Sequence, residues 1–248
     1  VDNPEDNDNY YHAGQSIKIR LVTEESVSGL NGNIRIESNK TNYDSGIQKI
    51  SDEGDVSYSY IWNTTGLKEA RDYVVEAKLL DELEREVIVK PITLIIDNTP
   101  PAGKISVNDN ALRTDSRSVE FKADVGDAIE MYISGDIVDD SNTFEWIPCR
   151  SFLSTQSDQV PITKAQVEMI VNLTDGDGEK LVKAKFRDKA NNESEDTEAA
   201  IILSTKPPMV ERIDSWDESN TSDNDEYYHA GQTVNIVVWA KENQAWLS

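Results

Sequence analysis

Along most of this chain apolar and polar residues alternate over short stretches. "SIKIRLV" (16–22), "NIRIES" (33–38), "VSYSYIW" (56–62), "YVVEAKLL" (73–80) and "EVIVKPITLII" (86–96) place apolar side chains at about every second position. A period of two belongs to a strand with one buried face. Turn-forming joints such as "GLNGN", "SDEGD" and "NTTG" separate these runs. No stretch keeps a long helical period; "LKEARD" (67–72) has room for one turn of helix between strands.

The pattern restarts at "IIDNTPPAGKISV", where Thr99-Pro100-Pro101 interrupts it. Proline cannot donate to a ladder, and two in a row make a stiff linker. A second break, "TKPPMVERI", begins at Thr205, and the interval from Pro100 to Pro207 matches the length of one β-sandwich module. Between the breaks run "KISV", "SVEFKADV", "EMYISGD", "TFEWIP", "AQVEMIVNL", "EKLVKAKFRD" and "TEAAIIL".

One phrase is written twice. "DNDNYYHAGQ" (6–15) returns as "DNDEYYHAGQ" (223–232) with a single change. A worn copy from Asn108, allowing one extra residue, aligns Ile17 with Val119 and Ile19 with Phe121. The phrase is therefore expected to be the loop leading into the second strand of each module. The reading is all-β: one sandwich at 1–99, a second at 100–206, and the incomplete start of a third at 207–248.

The phrases "YYHAGQSIKIRLVTEE", "GLNGNIRI", "YSYIWNTTGL" and "RDYVVEAKLLD" resemble a bacterial immunoglobulin-like module of large cell-surface proteins. "LTDGDGEKLVKAKFRDKANNES" resembles the fibronectin-like variety, whose last hairpin reads like DGxKxVxVxxxDxAGNxS, with Asn191 here in the place of its glycine. The resemblance covers modules one and two and the partial third at 207–248. It implies tandem immunoglobulin-like sandwiches in an exported protein: an S-layer subunit, an adhesin, or the stalk of a secreted enzyme. Tyr73, after a Leu-containing loop, takes the position of a tyrosine corner. Trp62 and Trp146 are expected between the sheets of their modules.

Composition narrows the function classes. Lys+Arg 24 against Asp+Glu 47 leaves a net charge of −23, which repels nucleic acid and anionic membrane. No apolar run reaches the roughly 18 residues of a membrane span. The chain opens without a signal peptide, mid-phrase, and is read as part of a longer protein. Cys149 is the single cysteine, so neither an intramolecular disulfide nor a cysteine zinc site forms.

Enzymatic chemistry finds no constellation. His12 and His229, the two histidines, fill the same slot of the repeated phrase, and no G-x-S-x-G elbow accompanies them. "DGDGE" (175–179) opens like an EF-hand loop but has Lys180 where that loop needs glycine, so it reads as a turn between strands. Sequons stand at Asn39, Asn63, Asn172, Asn192 and Asn220, and permit surface glycosylation.

The acidic loops are the strongest site signal. In an immunoglobulin-like sandwich the loop before the second strand lies beside the loop before the penultimate strand. In module one these carry Asp6, Asp8, Glu69 and Asp72, and the linker Asp97-Asn98 leaves from the same end. Module two is expected to turn Asp124, Asp127 and Asp188 toward that joint. Such a set has enough oxygens for Ca²⁺, which takes six to eight. Cadherin-like junctions share the layout, although their linker signatures are absent here.

These observations lead to an expectation of a non-enzymatic, extracellular module array, of S-layer or surface-filament type, with a Ca²⁺-stiffened first joint. An adhesin or carbohydrate-binding module would need an aromatic platform, for which Tyr10/Tyr11 and Tyr227/Tyr228 are the tandem candidates. A passive spacer of a secreted enzyme, or a halophile protein whose acids hold only water and salt, are the other classes. Expected partners are further copies of the chain, or a glycan or another surface protein. Module one begins without the first strand that "MVERID" (209–214) supplies to the third, and Val234, Ile236 and Val238 share one face. Strand exchange between chains would satisfy both.

Overall fold

Ile17, Ile19 and Leu21 are buried while Ser16, Lys18, Arg20 and Val22 face outward, so the strand Ser16–Val22 realises the alternation in its sequence. The same rule builds the rest of the chain. The computed structural model describes residues 9–22, 31–52, 57–81, 83–138, 144–149, 166–217, 228, 230–231 and 233–241.

Module one contains β1 (Tyr10–Tyr11), β2 (Ser16–Val22), β3 (Asn31–Ser38), β4 (Tyr43–Asp44), β5 (Gln48–Lys49), β6 (Ser51–Asp52), β7 (Ser57–Asn63), β8 (Ala70–Leu80), β9 (Glu86–Ile88) and β10 (Ile92–Ile96). One sheet runs β1-β10-β8-β3-β4, with β5 on β3 and β9 on β8; the sheet facing it runs β2-β7-β6. Module two contains β11 (Lys104–Val107), a 3-10 turn at Asn108–Asn110, β12 (Arg113–Thr114), β13 (Ser118–Asp124), β14 (Glu130–Gly135), β15 (Ile147–Pro148), β16 (Gln166–Asn172), β17 (Gly178–Arg187) and β18 (Thr197–Leu203). Its sheets are β11-β13-β16 and β12-β18-β17-β14-β15. β1 on β10 and β12 on β18 are parallel pairs; the other ladders are antiparallel. The larger sheets of the two modules share one strand order, and β2-β7 corresponds to β13-β16; module two adds β11 beside β13, where module one has β6 beside β7 instead. Both are immunoglobulin-like sandwiches.

Each module has its own core between its two sheets. In module one Trp62 from one sheet meets Tyr73 and Tyr43 from the other at ring distances of 5.4 and 6.0 Å. The buried indole N–H donates to the Tyr43 hydroxyl at 2.9 Å, which removes the cost of an unpaired donor. Tyr73 makes the tyrosine corner: its hydroxyl donates to the Lys68 carbonyl at 2.7 Å. In module two Phe121 and Val171 face Met131, Ile133 and Phe186 across the core. Ile17 and Ile19 occupy in the first core the places that Val119 and Phe121 occupy in the second, as the repeat alignment requires.

Four details differ from the sequence reading. Trp146 lies outside the core: Ile147 and Cys149 take the inward positions, so the period of two turns Trp146 outward. There it stacks on the Arg187 guanidinium at 4.2 Å and beside Tyr132. "EVIVKPITLII" is two strands, parted before Pro91. "LKEARD" forms no helical turn, because β8 already begins at Ala70. The repeated phrase is more than a loop: Tyr10 and Tyr11 pair with Ile95 and Ile96 as β1.

The third unit is a hairpin, β19 (Met209–Asp217) on β20 (Val234–Lys241). Its apolar residues stay open. Ile236 is 68% and Val238 53% exposed, whereas Ile19 and Leu21 at the same repeat positions are each 8% exposed.

Candidate functional site

The last strand of module one ends at Ile96, and the first strand of module two begins at Lys104. Asp97 N–H still donates to the Tyr11 carbonyl at 2.8 Å, so the parallel pair reaches the start of the linker. Asn98 is fixed next. Its Oδ1 accepts from Ala13 N–H at 2.7 Å and its Nδ2 donates to the Leu67 carbonyl at 3.2 Å. Glu69 accepts from the Thr99 hydroxyl at 2.6 Å and from Asn98 N–H at 3.4 Å. The linker is thus tied to the loops of module one on either side of it.

Module two meets the same linker with the turn after β17. Asp188, only 4% exposed, accepts from Asn192 N–H and from Asn192 Nδ2, both at 2.9 Å. Asn191 holds φ at +63°, which closes this turn and which asparagine tolerates. The same Asn192 Nδ2 donates to the Asp97 carbonyl at 2.9 Å. One side-chain amide therefore joins the two modules. Lys189 adds a second contact, its ammonium 5.2 Å from the centre of the Tyr10 ring. Gly103 belongs to the same passage, where a Cβ would collide with the Phe186 ring.

The acids expected at the joint divide. Asp97, Asp188 and Glu69 are near neighbours. Burial pushes the Asp97 carboxyl above its usual range, and the charges of Asp188 and Glu69 add to that, against the Thr99 N–H and Arg71. Asp124 and Asp127 stand exposed on the turn after β13, where Asp124 accepts from Gly126 N–H at 3.4 Å. That turn does face the linker, since a Cβ on Gly126 would meet the Ala102 carbonyl at 2.7 Å. Asp72 serves the turn after β3 instead, accepting from the Ser38 hydroxyl at 2.7 Å and Lys40 N–H at 3.1 Å. Those bonds, the Ser38 hydroxyl first, hold its carboxyl below the usual range. Asp6 and Asp8 lie outside the described residues.

The described acids alone do not make a calcium cradle. Among the described residues no three Asp, Glu, His or Cys side chains gather closely enough to hold an ion. Both polar atoms of the Asn98 amide are occupied by main chain. Two acceptors, Asp97 O and Asp188 Oδ2, converge on the Asn192 amide.

Two devices escape the sequence reading. Asn192 stands out in the sequence only as a sequon; its place four residues after Asp188 in a tight turn is the available signal. The second is a strand-exit cap used twice. Thr205, which follows the last strand of module two as Asn98 and Thr99 follow that of module one, gives its N–H and hydroxyl to Asp177 at 2.9 and 2.7 Å. The Asn98 and Thr99 pair uses Glu69 in the same way. That employs the "DGDG" loop for a cap, and Lys180 closes the loop on the Asp175 carbonyl at 3.0 Å.

His12 Nδ1 lies 2.9 Å from the Ala13 carbonyl oxygen, and the main-chain N–H of His12 donates to Gln15 Oε1 at 3.0 Å. His229 falls outside the described residues. Cys149 is buried, and burial pushes its thiol up to about 12.

Fold and joint define the class: an array of immunoglobulin-like β-sandwich modules with short, tied linkers. No family model matches the chain, and no curated protein matches it. Among solved structures it is similar to the fibronectin(III)-like modules of Clostridium thermocellum CbhA, at 12% identity over 79% of this chain and 88% of that one, with a TM-score of 0.38. It is also similar to the D00-D0 domain of intimin (13% identity, 79% and 94% covered, TM-score 0.26). A third neighbour is BcpA, the major pilin subunit of Bacillus cereus (9% identity, 92% and 85% covered, TM-score 0.23). At these scores the fold is read from the strand order and not from the neighbours.

Proposed function

We propose that the chain is a non-enzymatic structural array of a cell-exterior protein, of S-layer or surface-filament type. The module-to-module contact of Asn192 carries the reading. A linker that served only as a leash would not need its main chain bonded from both sides. The array holds its two sandwiches at a fixed angle by direct contact. Small-angle scattering tests this. The chain should give a profile fitted by one inter-module angle, and Asn192→Ala should broaden the distribution of angles. A wild-type profile that needs a wide distribution overturns it.

A divalent ion at the same joint is the second reading, for which Asp97, Asp188 and Glu69 are the near acids and further oxygens would have to come from outside the described residues. It differs in one outcome. Millimolar Ca²⁺ then narrows the angle distribution and raises the melting temperature over EDTA, by mass action on the native state. Direct contact alone predicts no difference. A glycan platform draws less support from the tyrosines: Tyr10 lies beneath Lys189 and Tyr11 packs against the first core.

Self-association is part of the same proposal, and the third unit supports it. The open face of Ile213, Ile236 and Val238 is covered when chains assemble, which is what a lattice or filament subunit requires.

A further inference from the structure

Glycosyl transfer to a sequon needs two accessible groups, the asparagine amide nitrogen and the hydroxyl two residues later. Asn39, Asn63, Asn172 and Asn192 lie among the described residues, and their surroundings differ. At Asn192 the amide is spent on Asp97 and Asp188, and the Ser194 hydroxyl accepts from Phe186 N–H at 2.9 Å. At Asn172 the asparagine is half-buried and the Thr174 hydroxyl accepts from Lys180 at 3.1 Å. Asn39 is exposed, but its partner hydroxyl, Thr41 Oγ1, is buried.

Asn63 is different. It ends β7 and is exposed, as is Thr65. Asn63 Oδ1 accepts from Thr65 N–H at 2.9 Å, an Asx turn that holds both ends of the sequon outward. The residue between them is the anchor: Thr64 is fully buried and its hydroxyl donates to the Gln15 carbonyl at 2.7 Å. Among the described residues Asn63 Nδ2 makes no hydrogen bond, so modification would cost the fold none.

We infer that Asn63 is an N-glycosylation acceptor of the folded chain, and that Asn39, Asn172 and Asn192 are closed to it. The donor is a polyprenyl-diphosphate-linked saccharide. Asn63 Nδ2 attacks the anomeric carbon and a C–N bond forms as the C–O bond to phosphate breaks. The amide proton passes to a carboxylate of the transferase, and polyprenyl diphosphate leaves. This inference is independent of where the protein resides, because the acceptor geometry can be tested in isolation.

The purified folded chain is incubated with a sequon-specific oligosaccharyltransferase and a short polyprenyl-diphosphate-linked oligosaccharide, then mapped by peptide mass spectrometry. The expected result is one saccharide mass on the Asn63 peptide. The Asn39, Asn172 and Asn192 peptides should stay bare until the chain is first cut into free peptides. Thr65→Ala, which keeps the main-chain bond to Asn63 and removes the hydroxyl, should abolish the modification with the fold intact. An Asn63 that stays bare in the folded chain, or equal labelling of Asn192, overturns the assignment.

Discussion

Asn192 of the second module donates its side-chain amide to the main-chain carbonyl of Asp97, 2.9 Å away, at the point where the first module ends. The same nitrogen serves the buried carboxylate of Asp188. The turn that shapes module two and the contact that orients it on module one therefore share one donor. Removing it has two effects that can be measured separately.

Asn192→Ala should lower the stability of module two by about 1–3 kcal/mol, the usual cost of leaving a buried acceptor unpaired. Urea denaturation reads that loss. Scattering reads the loosened joint. A variant that loses stability but keeps a single inter-module angle would assign the orientation to Lys189 and Tyr10 instead.

Tyr73→Phe removes the hydroxyl that bonds the Lys68 carbonyl and leaves the ring in place. A loss of about 0.5–1.5 kcal/mol in module one is expected. The unfolding midpoint should shift with little change in the slope against denaturant.

Gly103→Ala places a methyl group against the Phe186 ring, which is fully buried and has no room to retreat. Overpacking of this kind costs about 1–3 kcal/mol. The melting temperature of module two should fall while that of module one holds.

The strands were legible because alternation and burial coincide in them: Ile17, Ile19 and Leu21, or Val119, Phe121 and Ala123, need only one inward face. Tyr73 was legible from its place after a Leu-containing loop, near the opening of β8. What failed did so for physical reasons. Tyr10–Tyr11 is too short to show a period, yet two residues suffice for a parallel pair. The size of Trp146 suggests a core position, but its face is set by its place relative to Ile147. Asn98 reads as an oxygen ligand; its partners, Ala13 and Leu67, come from loops distant in sequence that only the fold brings near.

Acid should affect the joint with a definite sign. The Asp97 carboxyl is raised in the native state, so between its unfolded and folded values the native chain binds the extra proton. Its contribution to stability therefore falls as pH rises through that window and improves as pH drops. Asp72, Asp81 and Asp177, whose carboxyls are lowered, act in the opposite sense and lose their contribution in acid. The clean comparison is Asp97→Asn against wild type, from moderately acidic to neutral pH. The variant should be the more stable above the window, and the gap should close below it.

Sedimentation tests the open face of the third unit. The chain should self-associate with rising concentration, and Ile236→Lys with Val238→Lys should leave a monomer. If wild type and variant sediment alike at the same high concentration, that face holds nothing in solution.

The parallel pairs bear on how the array responds to tension. In each module a short strand, β1 or β12, lies parallel to the last strand, β10 or β18, and the bonds between them link the two ends of the sandwich. In module one they are Ile95 N–H to Asn9 O and Asp97 N–H to Tyr11 O, both 2.8 Å; in module two, Ile202 N–H to Leu112 O at 3.1 Å and Ser204 N–H to Thr114 O at 2.9 Å. A pull on the two ends of the chain shears these bonds together instead of peeling them one by one. The load each module bears before it opens is then set by the whole patch and not by its weakest member.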